Sequence, residues 1–167
     1  MKQSLSILIV LASLLVIISS GAVATTATTA LAQVQHFTAK LSGSNEVPPI
    51  SSKASGIATF DLNAAGKQMK YTLNVTDIDH VIAAHIHMGK STENGPIVVN
   101  LFIPAKATGK VTGSLAHSSI NSTSLIGPLH GKQMPDLINI MKNGQAYVNV
   151  HTSQNPPGEV RGTITMG

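Results

Sequence analysis

Two histidines one residue apart, His85 and His87, stand in the stretch Ala83-Ala84-His85-Ile86-His87-Met88-Gly89. In an extended strand successive side chains alternate between faces, so both imidazoles point one way while Ala84, Ile86 and Met88 point the other. At a rise of about 3.3 Å per residue the two positions lie roughly 6.5–7 Å apart, close enough for both rings to converge on one metal ion. The same alternation in Tyr147-Val148-Asn149-Val150-His151-Thr152 puts Tyr147, Asn149 and His151 on one face. If the two strands meet, three imidazoles share one site. Imidazole is the usual neutral nitrogen donor for copper(II) and zinc, so the expected ligand set is His85, His87 and His151 around a copper or zinc ion. Asn149, Glu159 and Arg161 are the expected surroundings. Glu159 and Arg161 are two residues apart, which places them to pair with each other or to orient a histidine. The competing reading makes the three histidines hydrogen-bonded braces of the sheet.

Other chemistry has weaker support. Glu46, beside Val47-Pro48-Pro49, could act as a general base, but pinning a turn through backbone N–H groups is the commoner use of such a carboxylate. There is no Gly-x-Ser-x-Gly elbow and no glycine-rich phosphate loop. Met88 is expected in the core rather than on a metal. His80, His117 and His130 are the remaining candidates for a fourth ligand, and none sits in a comparable strand motif. The absence of cysteine excludes thiolate metal sites, cysteine nucleophiles and a lipid-modified cysteine. Asn74-Val75-Thr76 and Asn121-Ser122-Thr123 are glycosylation sequons wherever the host has the machinery.

Those strands must be positioned by a chain of 167 residues, the length of one ordinary domain. Charged residues make up only 11% and hydrophobics 43%, while aromatics are limited to Phe37, Phe60, Phe102, Tyr71 and Tyr147. The core must therefore be built from Val, Ile, Leu and Ala. A pI near 9.5 invites a nucleic-acid reading. However, the lysines are scattered, Arg161 is the only arginine, and no aromatic–basic interleaving occurs, so nucleic acid is not an expected partner.

The N-terminus carries a targeting pattern. Lys2 precedes a nearly continuous apolar run from Leu5 to Ile18, and Ser19-Ser20-Gly21-Ala22-Val23-Ala24 supplies small residues for a peptidase. Residues 1–24 are expected to be a signal peptide; the alternative is an uncleaved membrane anchor, the only route by which this chain would meet a membrane. Residues 25–35 form a Thr/Ala-rich linker, and 36–167 the folded domain. Either way the domain is expected outside the cytoplasm, secreted or at the cell surface, where an extracellular protein or surface component is a further candidate partner.

Within that domain short alternating runs are punctuated by Gly/Pro turns: His36–Ser42, Gly56–Leu62, Gln68–Val75, the His85/His87 strand, Ile97–Ile103, Lys110–Ala116, Gln145–His151 and Glu159–Thr165. Ser118 to Gly131 reads as a polar insertion. One helix is expected, with Pro135 at its start, Leu137, Ile138 and Met141 on one side, and Asn143-Gly144 as its stop. Seven or eight short strands with one short helix argue for an all-β antiparallel sandwich or barrel.

These motifs resemble a known family. Phe37-x-Ala39-x-Leu41-Ser42-Gly43, Glu46-Val47-Pro48-Pro49, Gly56-x-Ala58-x-Phe60, Ala83-Ala84-His85-Ile86-His87, Asn94-Gly95-Pro96, Ala146 to Thr152 and Asn155-Pro156-x-Gly158-Glu159-Val160-Arg161-Gly162 resemble, in order, the CHRD domain first named from chordin. The resemblance implies an extracytoplasmic β-sandwich of the microbial single-domain type and implies no reaction. The His-x-His strand, the late Val-x-Val-His strand and the downstream Arg-Gly are also similar to copper/zinc superoxide dismutases, eight-stranded Greek-key sandwiches. That likeness would match His85, His87 and His151 to three copper ligands and Arg161 to the arginine that attracts the anion. The chain departs from the dismutases in lacking a bridging-histidine loop, a cysteine pair and a zinc cluster. A binding protein is therefore expected ahead of an enzyme, with dismutation as the one reaction the likeness offers.

Overall fold

The structure, a computed structural model, describes residues 34–167. The apolar leader and most of the Thr/Ala-rich stretch lie outside the described residues. Nine strands follow in one antiparallel sheet: β1 Gln35–Ser42, β2 Ser55–Leu62, β3 Met69–Ile78, β4 Val81–Met88, β5 Ile97–Phe102, β6 Val111–Ile120, β7 Ala146–Thr152, β8 Val160–Thr163 and the two-residue β9 Thr165–Met166. The order across the sheet is β5-β4-β7-β8-β1-β2-β3-β6, with β9 beside β1. The expectation of an all-β antiparallel fold with one short helix holds, and β9 is the extra strand.

The alternation seen in the sequence decides which side closes on itself. Phe37, Ala39 and Leu41 of β1, Ala58 and Phe60 of β2, Met69, Leu73 and Val75 of β3, Ala84 and Ile86 of β4, and Val148 and Val150 of β7 all point inward and are buried. The sheet curls around this aliphatic core until β5 and β6, its two ends, lie side by side. Tyr71 of β3 spans that seam, its hydroxyl donating to Leu101 O at 2.6 Å. Across the seam the spatial order β7-β4-β5-β6 is a Greek key: three successive strands and a fourth returning beside the first. The barrel is nearly closed, leaving little free sheet edge.

The segment read as a polar insertion is part of the fold. β6 runs on to Ile120, and two short 3₁₀ turns follow at Ser122–Ser124 and Gly127–Leu129. Ile120, Leu125 and Leu129 are buried. Ile126 N donates to Val98 O at 2.9 Å, covering the outer edge of β5. Its apolar residues are spaced by turns rather than by a strand or helix period, which hid them from pattern reading.

The helix α1, Met134–Lys142, falls where Pro135 and Gly144 place it. Gln133 N donates to Asp136 Oδ2 at 2.9 Å at its start, and Gly144 takes φ 65°, the left-handed conformation that ends helices. Leu137, Ile138 and Met141 are buried against the barrel, and among the described residues no helix is long and apolar enough to cross a membrane.

Candidate metal centre

β4 and β7 are direct neighbours, with His85 opposite Asn149, His87 opposite Tyr147 and Ala83 opposite His151. Because Ala84 and Ile86 take the core, His85 and His87 stand on the outer wall, and His151 joins them from β7. The three rings form a triangle with centroids 5.0 Å (His85–His151), 5.6 Å (His85–His87) and 5.6 Å (His87–His151) apart. Although they stand on the outer wall, each histidine is only 8% exposed, because loops fold over this face.

Two of those loops fix the rings. His87 Nδ1 lies 2.8 Å from Gly95 O in the β4–β5 loop, and His151 Nδ1 lies 2.9 Å from Pro156 O in the β7–β8 turn. A carbonyl only accepts, so each Nδ1 carries the hydrogen and each Nε2 keeps its lone pair. His87 Nε2, His151 Nε2 and His85 Nδ1 are buried without any hydrogen-bond partner in the protein. One nitrogen from each ring lies within 4.8 Å of the others. Burial holds all three imidazoles below their ordinary value of 6.5, with His85 pushed down to about 4; for His85 the neighbouring rings add to the effect, whereas carbonyl hydrogen bonds partly offset it at His87 and His151. Three neutral rings, each with one nitrogen within 4.8 Å of the others, could hold a metal ion. The donor set, all imidazole, suits copper or zinc.

The surroundings differ in detail from expectation. Glu159 and Arg161 do not pair. Glu159 precedes β8 and accepts from Ser52 Oγ, Asn155 Nδ2 and Thr152 Oγ1 (the last at 3.1 Å), tying down the turn that carries Pro156. It thus bears on His151 through the backbone. Arg161 is 1% exposed and stacks over Tyr147, its Cζ 3.5 Å from the ring centroid; the His87 ring also stacks on Tyr147 at 5.0 Å and 10°. Its guanidinium donates to Asn94 Oδ1 (3.0 Å), Lys90 O (2.7 Å) and Glu93 O (2.6 Å), so it shapes the β4–β5 loop. Asn149 lies between His85 and Arg161 in the register and donates to Pro157 O at 3.3 Å.

His80 sits beside Asp79, and His117 and His130 are exposed; none joins the triangle. Glu46 does not pin its turn through backbone N–H groups. Its carboxylate turns inward to Asn149 Nδ2 (3.4 Å) and is only 5% exposed. Met88 packs against the core as expected.

Gly95 was legible only as part of a loop, yet it both positions His87 and donates from N to Tyr147 Oη at 3.0 Å. A Cβ there would fall 1.7 Å from Met88 O. Gly95→Ala is therefore expected to push the loop off β4 and destabilise the protein by roughly 2–4 kcal/mol, read by urea unfolding. Retention of wild-type stability would show that the loop can move without loss.

No curated protein matches the chain, so the dismutase likeness rests on the histidine strands and Arg161 alone. The family model described as the CHRD domain matches residues 37–164, from β1 through β8 and including both histidine strands. With that match spanning the whole barrel and the site on its wall, the chain belongs to the CHRD domain family.

Proposed function

We propose that this protein binds a copper or zinc ion through His85 Nδ1, His87 Nε2 and His151 Nε2. The observation that carries the reading is three ring nitrogens buried without a partner, on rings that each bring one nitrogen within 4.8 Å of the others. Leaving such a group unsatisfied costs about 1–3 kcal/mol, so a cluster of three is an expense that a metal ion would relieve. Bound copper would supply one-electron redox chemistry and bound zinc a Lewis acid. The protein's own part is to keep the rings neutral and oriented. We place the site outside the cytoplasm, on the support of the leader-like residues 1–24, where such ions are drawn from the medium.

The second reading, a non-catalytic extracellular binding module braced by its histidines, draws on the Nδ1 bonds of His87 and His151, which do tie loops to the sheet. Metal content decides between them. The protein, purified without an affinity tag and incubated with copper or zinc, is expected to retain near-stoichiometric ion and to melt at higher temperature. No retained ion and no melting shift with either metal would overturn the metal reading and leave the binding module.

Acid should expose the same burial. A histidine held below its ordinary value keeps the folded state from taking up protons that the unfolded chain accepts. Its contribution is therefore complete above 6.5 and is lost as pH falls toward about 4 for His85. Between these limits the metal-free wild type is expected to lose stability relative to His85→Leu, on the order of a hundredfold in unfolding constant. Parallel pH profiles for the two proteins would contradict a buried neutral His85.

A further inference from the structure

Beside the histidines lie two more orphaned atoms. Glu46 Oε1 and Asn149 Oδ1 are both buried without a hydrogen-bond partner. The amide orientation of Asn149 is fixed, because its Nδ2 donates to Pro157 O as well as to Glu46 Oε2. Its Oδ1 is therefore an acceptor in need of a donor. The two orphaned oxygens flank one spot: a Cβ on Gly158 would lie 2.5 Å from Asn149 Oδ1 and 2.6 Å from Glu46 Oε1. Two buried lone-pair-bearing oxygens set around one dry spot repel unless a hydrogen is shared between them.

We propose that Glu46 is a neutral carboxylic acid in the folded protein and forms a reciprocal acid–amide pair with Asn149, a proton-operated latch that holds the Glu46 loop over the histidine face. In this pair Oε1–H donates to Asn149 Oδ1 while Asn149 Nδ2 donates to Oε2. One proton satisfies both orphans.

The charges around Glu46 are mixed. Burial raises its carboxyl to about 7 against the pull of Arg161 on β8 and of the hydrogen bond from Asn149 Nδ2, and Glu159, just before β8, raises it further. From β7 the facing group is the neutral Asn149 amide. The β4–β5 loop keeps the Lys90 and Glu93 side chains exposed and turns the backbone carbonyls of both residues to Arg161. Arg161 makes no ion pair with Glu46, because its hydrogen bonds go to those carbonyls and to Asn94.

The latch matters beyond its own pair. Asn94 Nδ2 donates to Val47 O at 2.8 Å, joining the Glu46 loop to the loop whose Gly95 orients His87. Losing the proton places an ion against an acceptor and loosens both covers together. The latch is closed in mild acid and opens as pH rises through neutrality. This device does not depend on metal.

The test uses metal-free protein and the Glu46→Gln variant, whose side-chain amide can make both bonds of the pair without a titratable proton. Carboxyl-carbon NMR of the wild type is expected to show Glu46 titrating near 7. Wild type and variant should be similarly stable at pH 5, with the wild type falling behind by on the order of a hundredfold in unfolding constant by pH 8. Taking the difference cancels the histidines, which both proteins share. The amides of Glu46 and Ile50, both bonded to Gly43 O, should gain exchange rate above pH 7 in the wild type alone. A Glu46 carboxyl titrating at or below its ordinary 4.5 would overturn the latch, even if the variant failed to fold. So would a gap between the two proteins that is already open at pH 5 and constant with pH.

Discussion

Replacing His85 with leucine is expected to lower copper or zinc affinity by more than about a hundredfold while leaving the metal-free protein as stable as the wild type or more so. Loss of an outer partner of a metal ligand typically costs 10–100-fold, and loss of a ligand should exceed that. The stability half of the expectation comes from what His85 lacks. Among the described residues its ring makes no hydrogen bond, its Nδ1 is buried and unpartnered, and the core-facing work of β4 falls to Ala84 and Ile86. Leucine of similar bulk removes a desolvated polar atom and leaves the inward face untouched. Isothermal titration with each ion, paired with thermal unfolding of the metal-free proteins, reads both halves. A metal-free His85→Leu protein that is clearly destabilised would mark the histidine as a brace.

Arg161→Met is expected to be the most damaging single change, at roughly 3–5 kcal/mol. The side chain is fully buried, and removing the guanidinium strips donors from Lys90 O, Glu93 O and Asn94 Oδ1 and lifts the cation from the Tyr147 ring. Water can reach the exposed Lys90–Asn94 loop and repay part of the loss, which keeps the effect below the sum of three orphaned acceptors. Arg161→Lys should recover only part, since an ammonium supplies charge without the planar stack or the fork of donors. Denaturant midpoints for the two variants test this ordering. Equal losses would mean that the charge contributes nothing, and full recovery by lysine that the charge alone matters.

The histidine site was legible in the sequence to the extent that it follows from strand alternation. His85 and His87 at i and i+2, and His151 on the Asn149 face of a second strand, needed only the two-residue period and the guess that the strands meet. The helix was legible because Pro135 has a fixed φ that suits a helix start and Gly144 the freedom to take the positive φ that ends one. What orients the rings was not legible. Gly95 O and Pro156 O are backbone atoms, and a carbonyl acceptor has no side-chain signature. Arg161 and Glu159 were read as pairing with each other or orienting a histidine because they are two residues apart. Each instead reaches across to a loop, Glu159 to Ser52, Thr152 and Asn155 and Arg161 to the Lys90–Asn94 segment. Glu46 read as a carboxylate that pins its own turn because only the folded barrel brings Asn149 and Gly158 around it.

The antiparallel pairing of β4 with β7 has a consequence for the order of events as the chain is made. His85 and His87 leave the ribosome long before His151, and nothing in β4 alone gathers three imidazoles. The strand that completes the triangle is itself buried along its whole length and is flanked by β4 and β8. Contacts so distant in sequence form late and slowly in folding. The triangle therefore exists only in a chain that is both finished and folded, and a nascent or truncated barrel presents two histidines and no site.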